Sequence, residues 1–204
     1  MTQTPLRRPA LVAALLASAM LAGCAPSMQP IEVTRFHAPT IAETGQYGSI
    51  AVQAAPGNEE SLALAPYEQA VSAELAQVGF SPAAAGSAAR VAEVRVSRSS
   101  WQPGRDGSPV SVGVGGSTGG YGSGVGVGLG IDLSGPPAEQ VSTQLSVVIR
   151  DRVSGQSVWE GRAEQVVDAD SALAQPAASA QALADALFVD FPGENGESFS
   201  VKPN

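Results

Sequence analysis

One cysteine, one histidine and one lysine in 204 residues remove much chemistry at the outset. Cys24 and His37 stand alone, so multi-histidine sites, Cys–His active sites and nearly all metal sites lack their donors. A disulfide within the chain is impossible. Lys202 is the sole lysine against 19 acidic residues and a net charge of −8, which excludes a basic groove for nucleic acid. Aromatic residues make up 5% and charged residues 15%, yet hydrophobic residues reach 44%, too apolar for a disordered chain. The 23 glycines and 15 prolines are too many for a compact helical bundle. The length fits one domain of ordinary size.

Long apolar runs are missing too. Ala10–Leu21, broken only by Ser18, falls short of the roughly 20 residues a membrane-spanning helix needs. With Arg7 and Arg8 ahead of it, the run has the dimensions of a secretory signal peptide. The rest of a twin-arginine motif is absent. The run ends in Leu21-Ala22-Gly23-Cys24-Ala25, which resembles a bacterial lipobox. That resemblance implies cleavage between Gly23 and Cys24, a diacylglyceryl thioether on Cys24 and, in many diderm bacteria, a further acyl chain on its amine. The other reading is an ordinary signal peptide followed by a buried cysteine. A single acyl chain anchors marginally, at about 0.8 kcal/mol per buried methylene, whereas two or three hold stably. Ala25 in place of an aspartate favours the outer membrane, by resemblance to the enterobacterial sorting rule. Removing two arginines from a net charge of −8 leaves −10 on the mature chain, which anionic head groups repel. The acyl chains, rather than the acidic surface, then hold the membrane.

The expected organisation is a signal peptide over 1–23, a lipidated tether over 24–30 and a domain over 31–204. Weak alternation predicts strands over Ile31–His37 and Ser49–Ala54, with loop over Pro39–Gly48 between them. Leu64, Tyr67, Val71, Leu75 and Val78 form one helical stripe, with Pro66 in the first turn, Gly79 as C-cap and Phe80 folding back on the core. Ser81–Ser87 reads as a link. Strands follow over Arg90–Ser99, Val141–Arg150 and Ser157–Val167, the last two joined by a Ser154-Gly155 turn. An Ala-rich helix over Pro176–Asp190 presents Ala180, Leu183 and Leu187, with Phe188 alongside. Phe191-Pro192-Gly193 stops it, and Ser198–Val201 reads as an edge strand. The order predicts an α+β, two-layer sandwich, a mixed sheet of about four to six strands with two helices on one face.

Residues 104–135 form an insertion carrying 13 of the 23 glycines. Neither a Gly-x-Gly-x-x-Gly triplet nor Gly-Lys-Ser/Thr occurs there, so it is no phosphate-binding loop. One reading is a low-complexity loop. In the other, Val125, Val127, Leu129 and Ile131 line one face of a strand whose other face is bare backbone, a candidate interaction surface open to a sheet, a membrane or a second copy.

Other candidates for chemistry have structural readings beside them. His37 has only Glu32 or Glu43 as orienting partners, which would serve by accident, and reads first as a surface or strand-end residue. Asp168 and Asp170 form a carboxylate pair of the kind glycoside hydrolysis needs, or cap the following helix. Glu160, Arg162 and Glu164 make a charged row of the kind found on solvated strands. Trp159 is a core anchor or a ligand platform. No Gly-x-Ser-x-Gly joins a strand to a helix; Gly120–Gly124 matches in composition alone. No catalytic, cofactor or metal site emerges.

Thr34-Arg35-Phe36-His37, Ser61-Leu62 ahead of the helix with Tyr67, and Leu75 through Gly79-Phe80 occur in this order. The strand before the Gly-rich stretch, Val158-Trp159-Glu160-Gly161, and Leu187-Phe188 leading into Phe191-Pro192-Gly193 follow. In this order they resemble a family of bacterial lipoproteins, domain of unknown function 4136. The resemblance implies an envelope-anchored α+β domain and carries over no catalytic residues. Three functions are expected in descending order. The first is a non-enzymatic, periplasm-facing interaction or assembly module with an envelope protein or lipid partner. The second is an amphiphile carrier with a cleft lined by Leu75, Val78, Leu183 and Leu187. The third is a hydrolase using Asp168 or Asp170.

Overall fold

The computed structural model describes residues 29–203 apart from 45–46, 59–62, 104–109, 117–124 and 132–136. Alternation of period two produces the strands. In chain order they are β1 (Ile31–His37), β2 (Ser49–Ala54), β3 (Ser81–Pro82), β4 (Arg90–Trp101), β5 (Val110–Gly116), β6 (Val125–Ile131), β7 (Gln140–Asp151), β8 (Ser157–Asp168) and β9 (Glu197–Val201). Seven of them form one open sheet in the order β3-β2-β4-β7-β8-β1-β9, and β5 and β6 form a separate two-stranded sheet. The main sheet exceeds the expected four to six strands because Ser81–Pro82, expected as linker, pairs with β2. A proline in a two-residue edge strand also blunts that edge against further pairing.

Two helices pack against each other and against one face of this sheet, α2 (Ala65–Gln77) over β2–β4 and α3 (Pro176–Phe188) over β7, β8 and β1. β2 runs parallel to β3 and β4, and α2 supplies the crossover; every other pairing in the sheet is antiparallel. A short helix, α1 (Pro39–Thr44), occupies the expected loop after β1. Pro39 starts it, where a missing N–H costs nothing, and Ile41 is buried in the core.

The α2 stripe is realised. Leu64, Tyr67, Val71 and Leu75 are buried, and Val78 packs at the edge of the core. Its end is a Schellman motif: Gly79 sits at φ +110°, and the Phe80 N–H donates to Leu75 O at 2.9 Å. Phe80 thereby returns to the core and stacks on Tyr47 at 4.9 Å. Beneath α3, Trp159 stacks on Phe188 at 5.3 Å, and its indole N–H donates to Pro192 O at 3.1 Å. It is a core anchor. Gly161 lies beneath it, where a Cβ would come within 2.3 Å of the indole.

One polar network runs through this apolar layer. The buried Gln165 donates from Nε2 to Leu173 O at 2.9 Å and to Ser179 Oγ at 2.8 Å. The Tyr67 hydroxyl donates to the same Ser179 oxygen at 3.2 Å, tying the sheet to both long helices. At the β7–β8 turn, Asp151 accepts hydrogen bonds from the Ser154 and Val153 amides, which hold its carboxyl below the ordinary 3.8.

Candidate functional site

The helices cover one face of the seven-stranded sheet, and the opposite face carries the side chains at alternate positions. Register aligns these into rows. Arg95, Ser146, Arg162, Thr34 and Ser198 form a cationic row. On one side of it lie Ser97, Gln144, Glu164, Glu32 and Ser200; on the other lie Gln53, Glu93, Val148, Glu160 and Phe36. A row of positive charge thus runs between two rows bearing acids.

Short local bonds organise this surface. Thr34 and Ser198 hydroxyls pair at 2.9 Å, Ser200 Oγ donates to Glu32 at 2.8 Å, and Ser142 Oγ donates to Glu164 at 3.0 Å. Arg150 Nε pairs with Glu93 at 3.0 Å. Phe36 is 53% exposed here, a large apolar ring left in water. It walls a dimple of about 230 Å³ with Thr34, Ser146, Val148, Glu160 and Arg162. Small-molecule sites usually occupy about 300–1,000 Å³, so the dimple suits one partner side chain better than a cofactor.

At the end of the sheet where β1 finishes, a second constellation forms around Arg35, which is 2% exposed on the helix-covered face. Its Nε donates to Glu197 Oε1 at 2.7 Å, and its Nη1 donates to Leu187 O at 3.3 Å and Val189 O at 2.5 Å. The guanidinium thereby caps the last carbonyls of α3, where the helix dipole favours a cation. It also lies 4.6 Å from the Phe199 ring centre. Burial raises the Glu197 pKa, but hydrogen bonds from Arg35 and from the Glu194 amide prevail and hold it below the ordinary 4.5. Gly193, at φ +80°, completes the cage: a Cβ there would stand 2.0 Å from Glu197 Oε1 and 2.3 Å from Arg35 Nε. An open hollow of about 450 Å³ adjoins this cage, but Arg35 and Glu197, which face it, are already paired with each other.

The candidates from the sequence separate accordingly. His37 does not meet Glu32; its ring nitrogens lie 3.1 Å from Ala38 O and 3.2 Å from Gly193 O, fastening the loop that follows α3. Glu43 lies outside the residues whose side chains are described. Asp168 accepts from Gln140 across β7–β8, and neither it nor Asp170 caps α3. The α3 N-cap is Gln175, with no side-chain cap bond, while Ser171 Oγ accepts from Leu173 N at 3.3 Å to cap a separate 3-10 turn over Ala172–Ala174. Leu75, Leu183 and Leu187 are wholly buried in the core, and these residues and Val78 line neither of the hollows above. Gly23 and Cys24 lie outside the described residues. Val125, Val127, Leu129 and Ile131 form β6, paired antiparallel with β5. Glu160 and Arg162 are exposed on the open face, with Glu164 half-buried beside them.

Arg35 and Glu197 were missed as a pair. The available signal was parity: Ile31, Val33 and Arg35 fall on one face, which puts an arginine where an aliphatic belongs.

Over 65 residues the chain is 37% identical to an uncharacterized protein of Zymomonas mobilis, a stretch that makes up 32% of this chain and 24% of that protein. The crystal structure of a PDZ domain protein from Parabacteroides distasonis superposes with a TM-score of 0.52 at 14% identity, over 93% of this chain and 42% of that one. The likeness is one of fold. The dodecameric PelC of Paraburkholderia phytofirmans gives a TM-score of 0.44 at 14% identity, over 76% and 91% of the two chains. The profile of one family matches residues 37–193, a span whose first and last residues touch through His37 and Gly193. The chain therefore belongs to the family described as domain of unknown function (DUF4136).

Proposed function

We propose that this protein is a lipid-anchored lipoprotein of the bacterial envelope, held by acyl chains on Cys24 and facing the periplasm from the outer membrane. Its domain serves as a non-enzymatic interaction or assembly module for an envelope protein. The observation that carries the interaction role is the open sheet face, where the half-exposed Phe36 and the Arg95–Arg162 row stand between acidic rows. Alternating charge of this kind matches a protein surface of complementary pattern better than a uniformly anionic lipid surface. The anchor rests on Leu21-Ala22-Gly23-Cys24 following the apolar run.

A reading without catalysis is supported by how the acid–base candidates are used. His37 fastens a loop, Asp168 bridges two strands, and Glu197 neutralises Arg35. The test is the intact mass of the chain purified from membranes. A mass equal to residues 24–204 plus a diacylglyceryl group, with Cys24→Ala abolishing the processing, is the expected result. A chain cleaved at another bond, or carrying an unmodified Cys24, would sink the anchor.

A further inference from the structure

Two strands of the open face carry the same short pattern. Glu93 and Arg95 lie two positions apart on β4, and Glu160 and Arg162 lie two apart on β8. β4 and β8 are both antiparallel to β7, so they run in the same direction. Register sets Arg95, Ser146 and Arg162 side by side, with Glu93, Val148 and Glu160 in a second row about 7 Å away. On β1 the two rows continue into Thr34 and Phe36. Arg95, Glu160, Arg162 and Phe36 are exposed. Ion pairs among the described residues are Arg35–Glu197 and Arg150–Glu93, so neither Glu160 nor Arg162 is neutralised there.

Such a face is complementary to itself. A two-fold axis laid on the face, between these rows and along them, reverses strand direction and leaves each strand over its own counterpart. The cationic row of one copy then lies over the acidic row of the other: Arg95 over Glu93, Arg162 over Glu160, and Thr34 over Phe36. Phe36 of each copy meets the dimple that Thr34, Ser146 and Arg162 wall in the other. Arginine is long enough to bridge the offset that an angle of about 30° between packed sheets introduces. The acids on the far side of the arginines already have donors, Glu32 from Ser200 and Glu164 from Ser142. Strands β4, β7, β8, β1 and β9 together present about 750 Å², near the roughly 800 Å² that each partner contributes to a stable interface.

The same axis agrees with the anchor. It runs across the sheet from β3 to β9, and β1 lies beside β9 at one end of it. The two copies of Ile31 therefore stand at the same height on the axis, about 27 Å apart. Each follows the tether 24–30, whose seven residues reach at most about 24 Å, so both anchors can enter one leaflet.

We propose that the open face pairs two copies of this chain, face to face, about a two-fold axis along the membrane normal. The inference rests on the open-face reading and the Cys24 anchor, and it names the partner as a second copy. Chains tethered in one leaflet meet at a raised effective concentration, which favours the pairing further.

The test uses the full-length mature protein extracted from membranes in detergent, with association followed by sedimentation. Dimers are the expected result. Arg162→Glu sets acid against acid at two symmetry-related places and weakens the dimer about a hundredfold. Glu160→Arg does the same with cations. Glu160→Arg combined with Arg162→Glu restores the dimer, because each swapped residue again meets its opposite in the second copy; a partner of another sequence regains no such match. Dimers insensitive to the single substitutions, or not restored by the swap, would overturn the arrangement. A monomer whose position 36, bearing a photo-reactive residue in cells, joins a different protein would overturn the second copy and keep the open face as an interaction surface. A monomer with no adduct at position 36 would overturn both. A chain that passes the swap test with an unmodified Cys24 would support the pairing and sink the anchor.

Discussion

The two faces of the seven-stranded sheet come from the same strands and meet opposite fates. On the covered face, Leu145, Val147, Ile149, Trp159 and Ala163 are fully buried, and even a cation there, Arg35, is enclosed by a carboxylate, two carbonyls and an aromatic ring. On the open face, Arg162 and Glu160 meet solvent, and Phe36 remains half-exposed. The covered face spends its side chains on stability. The open face spends few, and its pattern of charge and one exposed ring is free to recognise a partner. Substitutions should therefore sort by face, severe for folding on one and mild on the other.

The sharpest contrast starts at Trp159. Trp159→Ala should cost about 3–5 kcal/mol in a urea or guanidinium titration, because it empties the cavity between β8, Phe188 and Phe191. Arg35→Ala should cost about 3 kcal/mol, since it strips Glu197 and the last α3 carbonyls of their donor. A loss under about 0.5 kcal/mol, the size of a surface substitution, would show that the cage is decoration.

Acid should reveal the same cage. Glu197 titrates below its ordinary 4.5 in the folded chain, so its contribution is present above that value and fades as pH falls through the folded value. Glu197→Gln should flatten that part of the stability–pH curve. Glu74 behaves oppositely. Burial and the neighbouring Asp185 raise its pKa, so its ionised form opposes folding at neutral pH. Glu74→Gln should raise the melting temperature slightly at pH 7, with the gain vanishing as pH falls through the carboxylate range. A gain that persists in acid would contradict the pairing of these two carboxylates.

The smallest effect belongs to the open face. Phe36→Ser and Arg162→Ser should each change stability by no more than about 0.5 kcal/mol. A loss as large as that of Trp159→Ala would mean that this face is held by contacts of its own.

Much of this architecture is legible from local pattern. Alternation marks β1, β2, β4, β7 and β8 to within a few residues, and the Leu64–Val78 stripe with Gly79 predicts both α2 and its cap. What escapes is of three kinds. Polar residues at buried parity, Arg35 and Gln165, look solvent-facing until their partners are known. Those partners are remote: Glu197 lies 162 positions from Arg35. Short elements also escape, because Pro39 and Pro82 read as breakers when one starts a helix and the other sits in an edge strand. The open-face site is half legible: the Glu160–Arg162–Glu164 row is local, but its alignment with Arg95, Thr34 and Phe36 depends on strand order.

The most direct measurement places a photo-reactive amino acid at position 36 or 162 on the open face, or at the exposed position 73 on α2, in the lipidated protein inside cells. The account requires one discrete protein adduct from positions 36 and 162 and none from 73. Adducts of the same mass from position 73, or none from the open face while the protein remains folded and membrane-bound, would contradict it.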